Sequence, residues 1–186
     1  SALTFIRSLQ DESGGFSLEE NSDSTPLMTG YNLWIHGMTG TSKDSLEIQS
    51  SLTFLAAIQG SSGGFSYFTS GAEALLPTAV VASGLEGIGL STTDTIRSAA
   101  NQFIFDAITN MFQINESGNT MVGDSAGDMC VLMLALKSVF NTLPPEIVTA
   151  IVEHISKRRL ADGGWGLMDS NQSDCDSTAS ALIVLS

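Results

Sequence analysis

The sequence predicts an all-α protein built from four helix pairs that repeat about every 50 residues. Three observations carry that prediction. The segment from Ser1 to Ser17 lies over the segment from Ser50 to Ser66, so that Leu3, Thr4, Phe5, Gln10, Gly14, Gly15 and Phe16 recur at Leu52, Thr53, Phe54, Gln59, Gly63, Gly64 and Phe65. A second marker keeps the same period: Thr29, Thr78, Asp128 and Thr178 each open an apolar run, in steps of 49, 50 and 50 residues. Lastly, the apolar patterns fall into two kinds, one-sided stripes and runs that are apolar almost all round.

Each repeat reads as an outer helix, a glycine-rich loop and an inner helix. In the first outer helix Leu3, Phe5, Ile6 and Leu9 form a stripe opposite Arg7 and Ser8; Ile147, Val148, Ile151, Val152 and Ile155 do the same in the last. The run from Met129 to Phe140 is tolerable in a helix only if it is buried on several sides. Ala79, Ala82, Gly84, Ala179 and Ala181 are small enough for close helix approach. Thr and Asp at the start of the inner runs favour N-cap or first-turn positions, where their oxygens accept from unpaired backbone N–H groups. Glycine at Gly14, Gly63 and Gly163 suits the positive φ a chain often needs on leaving a helix. The fourth copy of the loop has Arg159 in place of the glutamine, then Gly163, Gly164 and Trp165; the third, from Phe112-Gln113 to Gly118, is degraded. Breakers between repeats stand at Gly37-Met-Thr-Gly40, Gly87-Ile-Gly89 and Leu143-Pro-Pro145. The repeats run over about 1–45, 46–95, 96–143 and 144–186, in one domain of 186 residues with no sheet. Both ends fall inside helical patterns, as in a piece of a longer domain whose other repeats would contact this one.

Composition narrows the function. The net charge of −13 repels nucleic acid and anionic lipid, and no apolar run reaches the ~18 residues of a membrane span. Cys130 and Cys175 are too few for a disulfide framework, and with only His36 and His154 beside them no zinc spacing is recognisable. No cofactor is expected. The triplets Asn115-Glu-Ser and Asn171-Gln-Ser are glycosylation sequons and lean toward a secreted protein.

The Gln-x-x-x-Gly-Gly-Phe loop followed by Thr-Ala-x-Ala-Leu resembles the repeat of the prenyltransferase and squalene-cyclase superfamily, across nearly the whole chain. That resemblance implies an α/α toroid with inner and outer helix rings. It also implies that Gln10, Phe16, Gln59, Phe65 and Trp165 tie adjacent helices together. The superfamily includes terpene cyclases, protein prenyltransferases, thioester domains of complement and macroglobulins, and cobalamin carriers, so the fold does not select a function.

Asp174-Cys-Asp176-Ser-Thr-Ala resembles the acid element of class II terpene cyclases, with Asp176 at the position of the proton donor. Ser177 departs from it where cyclases carry another Asp, and only 7% of the chain is aromatic, little to line a cation cavity. Caps on the inner helix account for Asp174, Asp176 and Thr178 more simply, with Asp176 accepting from N–H groups near Thr178–Ala181. Asp128 and Cys130 lack the remaining zinc ligand of a prenyltransferase, and neither cysteine sits in a thioester motif. Gly123-Asp-Ser125-Ala-Gly127 matches the nucleophile-elbow pattern, but Asn119-Thr-Met-Val122 is barely a strand and His154 falls on an outer helix. Repeat spacing gathers Asp124, Asp128, Asp174 and Asp176 toward one rim, with Asp169 in the loop, where they would bind calcium or a cationic partner; separate solvated caps explain them too. The preferred function is a noncatalytic module that binds a protein or small-molecule ligand, ahead of a cyclase or prenyltransferase-like enzyme and a thioester domain.

Overall fold

A computed structural model describes residues 2–114, 120–122, 129–167 and 170–185. Eight α-helices occur among them: α1 (Ala2–Ser8), α2 (Pro26–Met38), α3 (Leu46–Ile58), α4 (Leu75–Gly87), α5 (Thr95–Met111), α6 (Met129–Val139), α7 (Pro145–Lys157) and α8 (Cys175–Leu185). None of the described helices is long and apolar enough to cross a membrane. The chain divides into two compact units, Ser1–Ile104 and Phe105–Ser186.

In the first unit, local chemistry sets the helix ends. Thr25 caps α2, its Oγ1 accepting from the Met28 N–H at 3.1 Å, and Pro26 follows at the first helical position, where no N–H is required. Ser45 caps α3 by accepting from Ile48. α2 and α4 close alike: Gly40 and Gly89 take φ of 72° and 74°, and the amides of Thr41 and Leu90 donate to the carbonyls of His36 and Leu85 at 2.9 and 3.0 Å. This ending needs a left-handed residue and so favours glycine.

α2 and α4 pack side by side, nearly backbone to backbone. A Cβ at Gly30 would fall 2.9 Å from Val81 Cα, one at Gly84 2.4 Å from the Gly30 carbonyl oxygen, and one at Gly37 2.3 Å from the Gly87 carbonyl oxygen. Contacts that advance along both helices together make the pair parallel. α4 is buried from Pro77 through Leu85. α3 buries Ile48, Ser51, Phe54 and Leu55 on one side only.

In the second unit α7 shows the amphipathic pattern most clearly, with Ile147, Ala150, Ile151 and Ile155 buried and an exposed Glu153–Lys157 pair at 3.0 Å. α6 lies against α8, where the Ser180 hydroxyl approaches Cys130 Sγ at 3.6 Å. Both cysteines are free thiols.

Three expectations need correction. A sheet is present: β1 (Phe112–Ile114) pairs antiparallel with β2 (Thr120–Val122). In the degraded third copy the chain leaves α5 as an extended hairpin, because Phe112-Gln-Ile has no following Gly-Gly pair to form the turn found elsewhere. The Met129–Phe140 run is not covered all round: Leu132, Ala135, Leu136 and Val139 are buried, but Phe140 is exposed. Phe5 is 58% exposed although it belongs to the apolar stripe of α1, whereas its counterpart Phe54 is 6% exposed. Phe54 is covered because it packs on the 10–16 loop between α1 and α2, where a Cβ at Gly15 would come within 2.7 Å of its ring; a buried stripe requires such a partner.

Gly84→Ala is expected to destabilise the protein by about 1–3 kcal/mol, since its methyl meets rigid backbone rather than a flexible side chain. Gly87→Ala should be close to neutral, because the nearest atom to its Cβ is Trp34 Cδ1 at 3.4 Å. Thermal melts of the two variants check the contrast.

Candidate functional site

The repeated Gly-Gly-aromatic loops are held by a recurring set of hydrogen bonds. Three of them, 10–16, 59–65 and 159–165, share one backbone hydrogen-bond pattern. The amides of Gly14, Gly63 and Gly163 donate to the carbonyls of Asp11, Gly60 and Leu160 at 3.0, 2.9 and 2.9 Å. In return, the amides of Asp11, Gly60 and Leu160 donate to the carbonyls of Gly15, Gly64 and Gly164 at 3.0, 3.0 and 2.8 Å. The first glycine of each pair carries the strain of the turn, with φ of 89°, 88° and 90°.

The aromatic residue then fastens the loop by its backbone to the helix that follows, α2, α4 or α8. Its carbonyl accepts from the residue nine positions on: Thr25 at 3.0 Å, Ala74 at 2.9 Å and Asp174 at 2.9 Å. Its N–H donates to a threonine hydroxyl thirteen positions on: Phe16 to Thr29 at 2.9 Å, Phe65 to Thr78 at 2.8 Å and Trp165 to Thr178 at 3.0 Å. Thr29 and Thr78 in turn donate to the carbonyls of Thr25 and Ala74 at 2.8 and 2.7 Å, while Thr178 donates to the Trp165 carbonyl at 3.2 Å. These threonines therefore stand one turn inside their helices as latches and do not cap them, Thr29 and Thr78 fully buried and Thr178 half-buried. The rings of Phe16, Phe65 and Trp165 are buried, and the Trp165 indole donates to the Ile155 carbonyl at 2.6 Å.

The glutamine reaches onward to a later helix, α3 from Gln10 and α5 from Gln59. Gln10 Nε2 lies 3.0 Å from the Gly14 carbonyl, 2.9 Å from the Glu47 carbonyl and 3.1 Å from Ser51 Oγ. Gln59 Nε2 repeats this with the carbonyls of Gly63 at 2.8 Å and Ile96 at 3.0 Å. Glycine is required there for a second reason, since a Cβ at Gly14 would meet the Ser50 carbonyl oxygen at 2.3 Å and one at Gly63 the Ala99 carbonyl oxygen at 2.5 Å. In the third loop Arg159 donates to the Gly163 carbonyl at 2.9 Å and lies over the Trp165 ring.

Carboxylates brace the same loops. Asp11 accepts from the Ser24 hydroxyl at 2.6 Å and Asp162 from the Ser173 hydroxyl at 2.7 Å; Glu73 accepts from the amides of Ser62 and Gly64 at 3.2 and 2.6 Å. Burial pushes the Asp11 carboxyl up, but hydrogen bonds from Ser13, Ser24 and Gly15 outweigh it and hold the group below its usual range. Bonds from Ser173 and the Gly164 amide lower Asp162. The Ser177 amide, donating at 2.7 Å, lowers Asp174.

Asp174, then, is the acid that caps α8. Asp176, the position matching the cyclase proton donor, is exposed in the first turn of the helix. The expectation that it accepts from amides near Thr178–Ala181 is corrected: an N-cap side chain bonds three residues ahead, which selects Asp174 for Ser177. Asp124, Ser125, Asp128 and Asp169 lie outside the described residues. Among the described residues no three His, Cys, Asp or Glu side chains converge on a metal position.

A polar group not anticipated from sequence sits between the first two repeats. His36 is fully buried, with Nδ1 3.0 Å from Thr41 Oγ1 and Nε2 3.0 Å from Glu47 Oε1, the latter pair not aligned as a hydrogen bond. Arg7 Nε reaches the other oxygen of Glu47 at 3.1 Å, so α1, α2 and α3 are joined through one carboxylate. The second unit holds an apolar hollow of about 580 Å³ between α6, α7 and α8, lined by Met133, Leu136, Phe140, Val152 and Ile183 among others. A comparison with protein-family models returned no match, and neither did one with curated proteins.

Thr78→Val should leave the buried Phe65 amide without an acceptor and cost about 1–3 kcal/mol, with Thr78→Ser restoring most of it. Phe65→Ala should cost about 3–5 kcal/mol. Chemical denaturation of the three variants distinguishes a latch from an exposed recognition loop. Carboxyls whose folded pKa is depressed add stability that is present above the unfolded value of about 3.9 and is lost as pH falls through the lower folded value. Asp162→Asn/Asp174→Asn should accordingly show a shallower fall of melting temperature on acidification than the unmodified protein.

Proposed function

We propose that the chain is a noncatalytic binding module for a protein or small-molecule ligand, built on repeats of the prenyltransferase and squalene-cyclase kind and forming part of an α/α toroid. The hollow between α6, α7 and α8 is the observation that carries this reading. Its lining is mostly aliphatic and thioether carbon, surfaces that bind by excluding water, and a methionine adapts its shape to what it contacts. Two features of the chain add support. The polar side chains of the loops are engaged in holding the turns, so they are spent on architecture. α2 and α4 meet through glycines, which leaves no room for a substrate between them.

The acid at the cyclase-like position points the same way. A carboxylic acid that protonates an alkene must be kept neutral by burial, and Asp176 is in contact with water.

A solvatochromic apolar dye titrated into the protein tests the proposal. Saturable binding is expected, lost in Met133→Asp and unchanged in Asp176→Asn. Turnover of a polyene or polyprenyl diphosphate substrate that Asp176→Asn abolishes would contradict it.

A further inference from the structure

We propose that the end of the α2–α4 pair carrying the 17–24 and 66–73 loops docks a basic, partly apolar polypeptide segment. This surface belongs to the first unit and is separate from the apolar hollow of the second.

The two loops are built alike and rise from the same end of one helix pair. Each opens on a buried aromatic and closes on the residue before its helix: the amides of Thr25 and Ala74 donate to the carbonyls of Phe16 and Phe65 at 3.0 and 2.9 Å. α2 and α4 run parallel, Gly30 set against Val81 and Gly37 against Gly87, so the loops that lead into them stand at one end of the pair. Inside each loop a buried serine hydroxyl donates to the carbonyl two residues on, Ser17 to Glu19 at 2.8 Å and Ser66 to Phe68. The residue between donor and acceptor is turned out to water in both, Leu18 at 72% exposure and Tyr67 at 46%. Phe68 follows at 69%.

A lone exposed apolar residue is ordinary on a protein surface. Here two consecutive aromatics and the leucine matching the first of them are held outward by the same braced turn. Aromatic side chains of this kind are enriched where proteins meet and carry much of the binding energy there.

Charge selects the occupant. Glu19, Glu20 and Asp23 are exposed in the first loop, and neither loop contains lysine, arginine or histidine. The nearest basic residues along the chain belong to the opposite end of the pair: Lys43 follows α2, and Arg97 donates to the carbonyl of Leu90, which follows α4. Nucleic acid and anionic bilayers are repelled by such a surface. A lysine or arginine side chain is attracted on three counts. Its charge meets the carboxylates, its cation is drawn to an aromatic face, and its methylene stem covers apolar surface.

Fluorescence anisotropy of a labelled peptide of repeated Lys-Leu-Gly, titrated with the 186-residue chain, tests the proposal. Saturable binding is expected, weakening as salt is raised; the same peptide with glutamate for lysine should not bind. Tyr67→Ser/Phe68→Ser should weaken binding about tenfold or more, and Glu19→Gln/Glu20→Gln by a smaller factor. Glu146→Gln/Glu153→Gln, an equal change of charge on α7, should leave it unchanged. The altered residues of the two loops are exposed, so melting temperatures should hold near that of the unmodified protein. No binding, or undiminished binding to Tyr67→Ser/Phe68→Ser, would overturn the proposal. An equal loss in the two charge variants would also overturn it, because it would mark a general attraction to an acidic protein. Dye binding in the hollow should persist in Tyr67→Ser/Phe68→Ser, and peptide binding in Met133→Asp, so the two proposals stand or fall separately.

Discussion

The hydrogen bond from the backbone of a loop aromatic to a threonine hydroxyl thirteen residues later is the constraint on which the rest of the structure depends. A chain that leaves a helix, reverses and enters another must place several backbone groups away from water, and each one left unpaired costs about as much as a lost hydrogen bond. Here the aromatic satisfies both of its backbone groups on the first turn of the inner helix. With Phe16, Phe65 or Trp165 fixed in that way, its ring has one direction to go, into the space between neighbouring helices. Buried rings of this size supply a large share of the apolar burial available to each repeat.

The same turn sets how repeats stack. Because the first glycine has no Cβ, the following outer helix can bring its backbone against it, and the loop glutamine can donate to a carbonyl in that helix. Stacking is thus set jointly by the loop and by the residues the following helix lays on it, Ser50 and Phe54 of α3 and Ala99 and Phe103 of α5. It also accounts for the uneven burial of otherwise equivalent residues. Phe5 and Phe54 occupy the same place in two similar helices, and only the one with a loop beneath it is covered.

Much of this was legible in the sequence, and the parts that were not have identifiable reasons. Identical residues at intervals of 49 and 50 gave away the helix pairs, and Gly-Gly after a helical stripe implied the positive φ found at Gly14, Gly63 and Gly163. The function of Thr29, Thr78 and Thr178 was misplaced because threonine suits a cap and a latch equally; the constant separation of thirteen from Phe16, Phe65 and Trp165 was the available signal. Asp174 and Asp176 are both plausible caps from composition, and only the three-residue reach of a capping side chain separates them. The contact of buried His36 with Glu47, and of Glu47 with Arg7, could not be read at all, since it depends on the end of α2, the start of α3 and the side of α1 meeting at one point. The pairing of Phe112–Ile114 with Thr120–Val122 replaced a loop whose consensus residues were missing, and strands of three residues carry little periodic signal of their own.

Site-resolved amide hydrogen exchange tests the central claim most directly. If the loops are structural clamps, the N–H groups of Phe16, Phe65 and Trp165, all outside helices, should exchange as slowly as the buried amides of α4, and that of Phe65 should become fast in Thr78→Val. Exchange of the three at the rate of open loop amides in the unmodified protein would contradict the account.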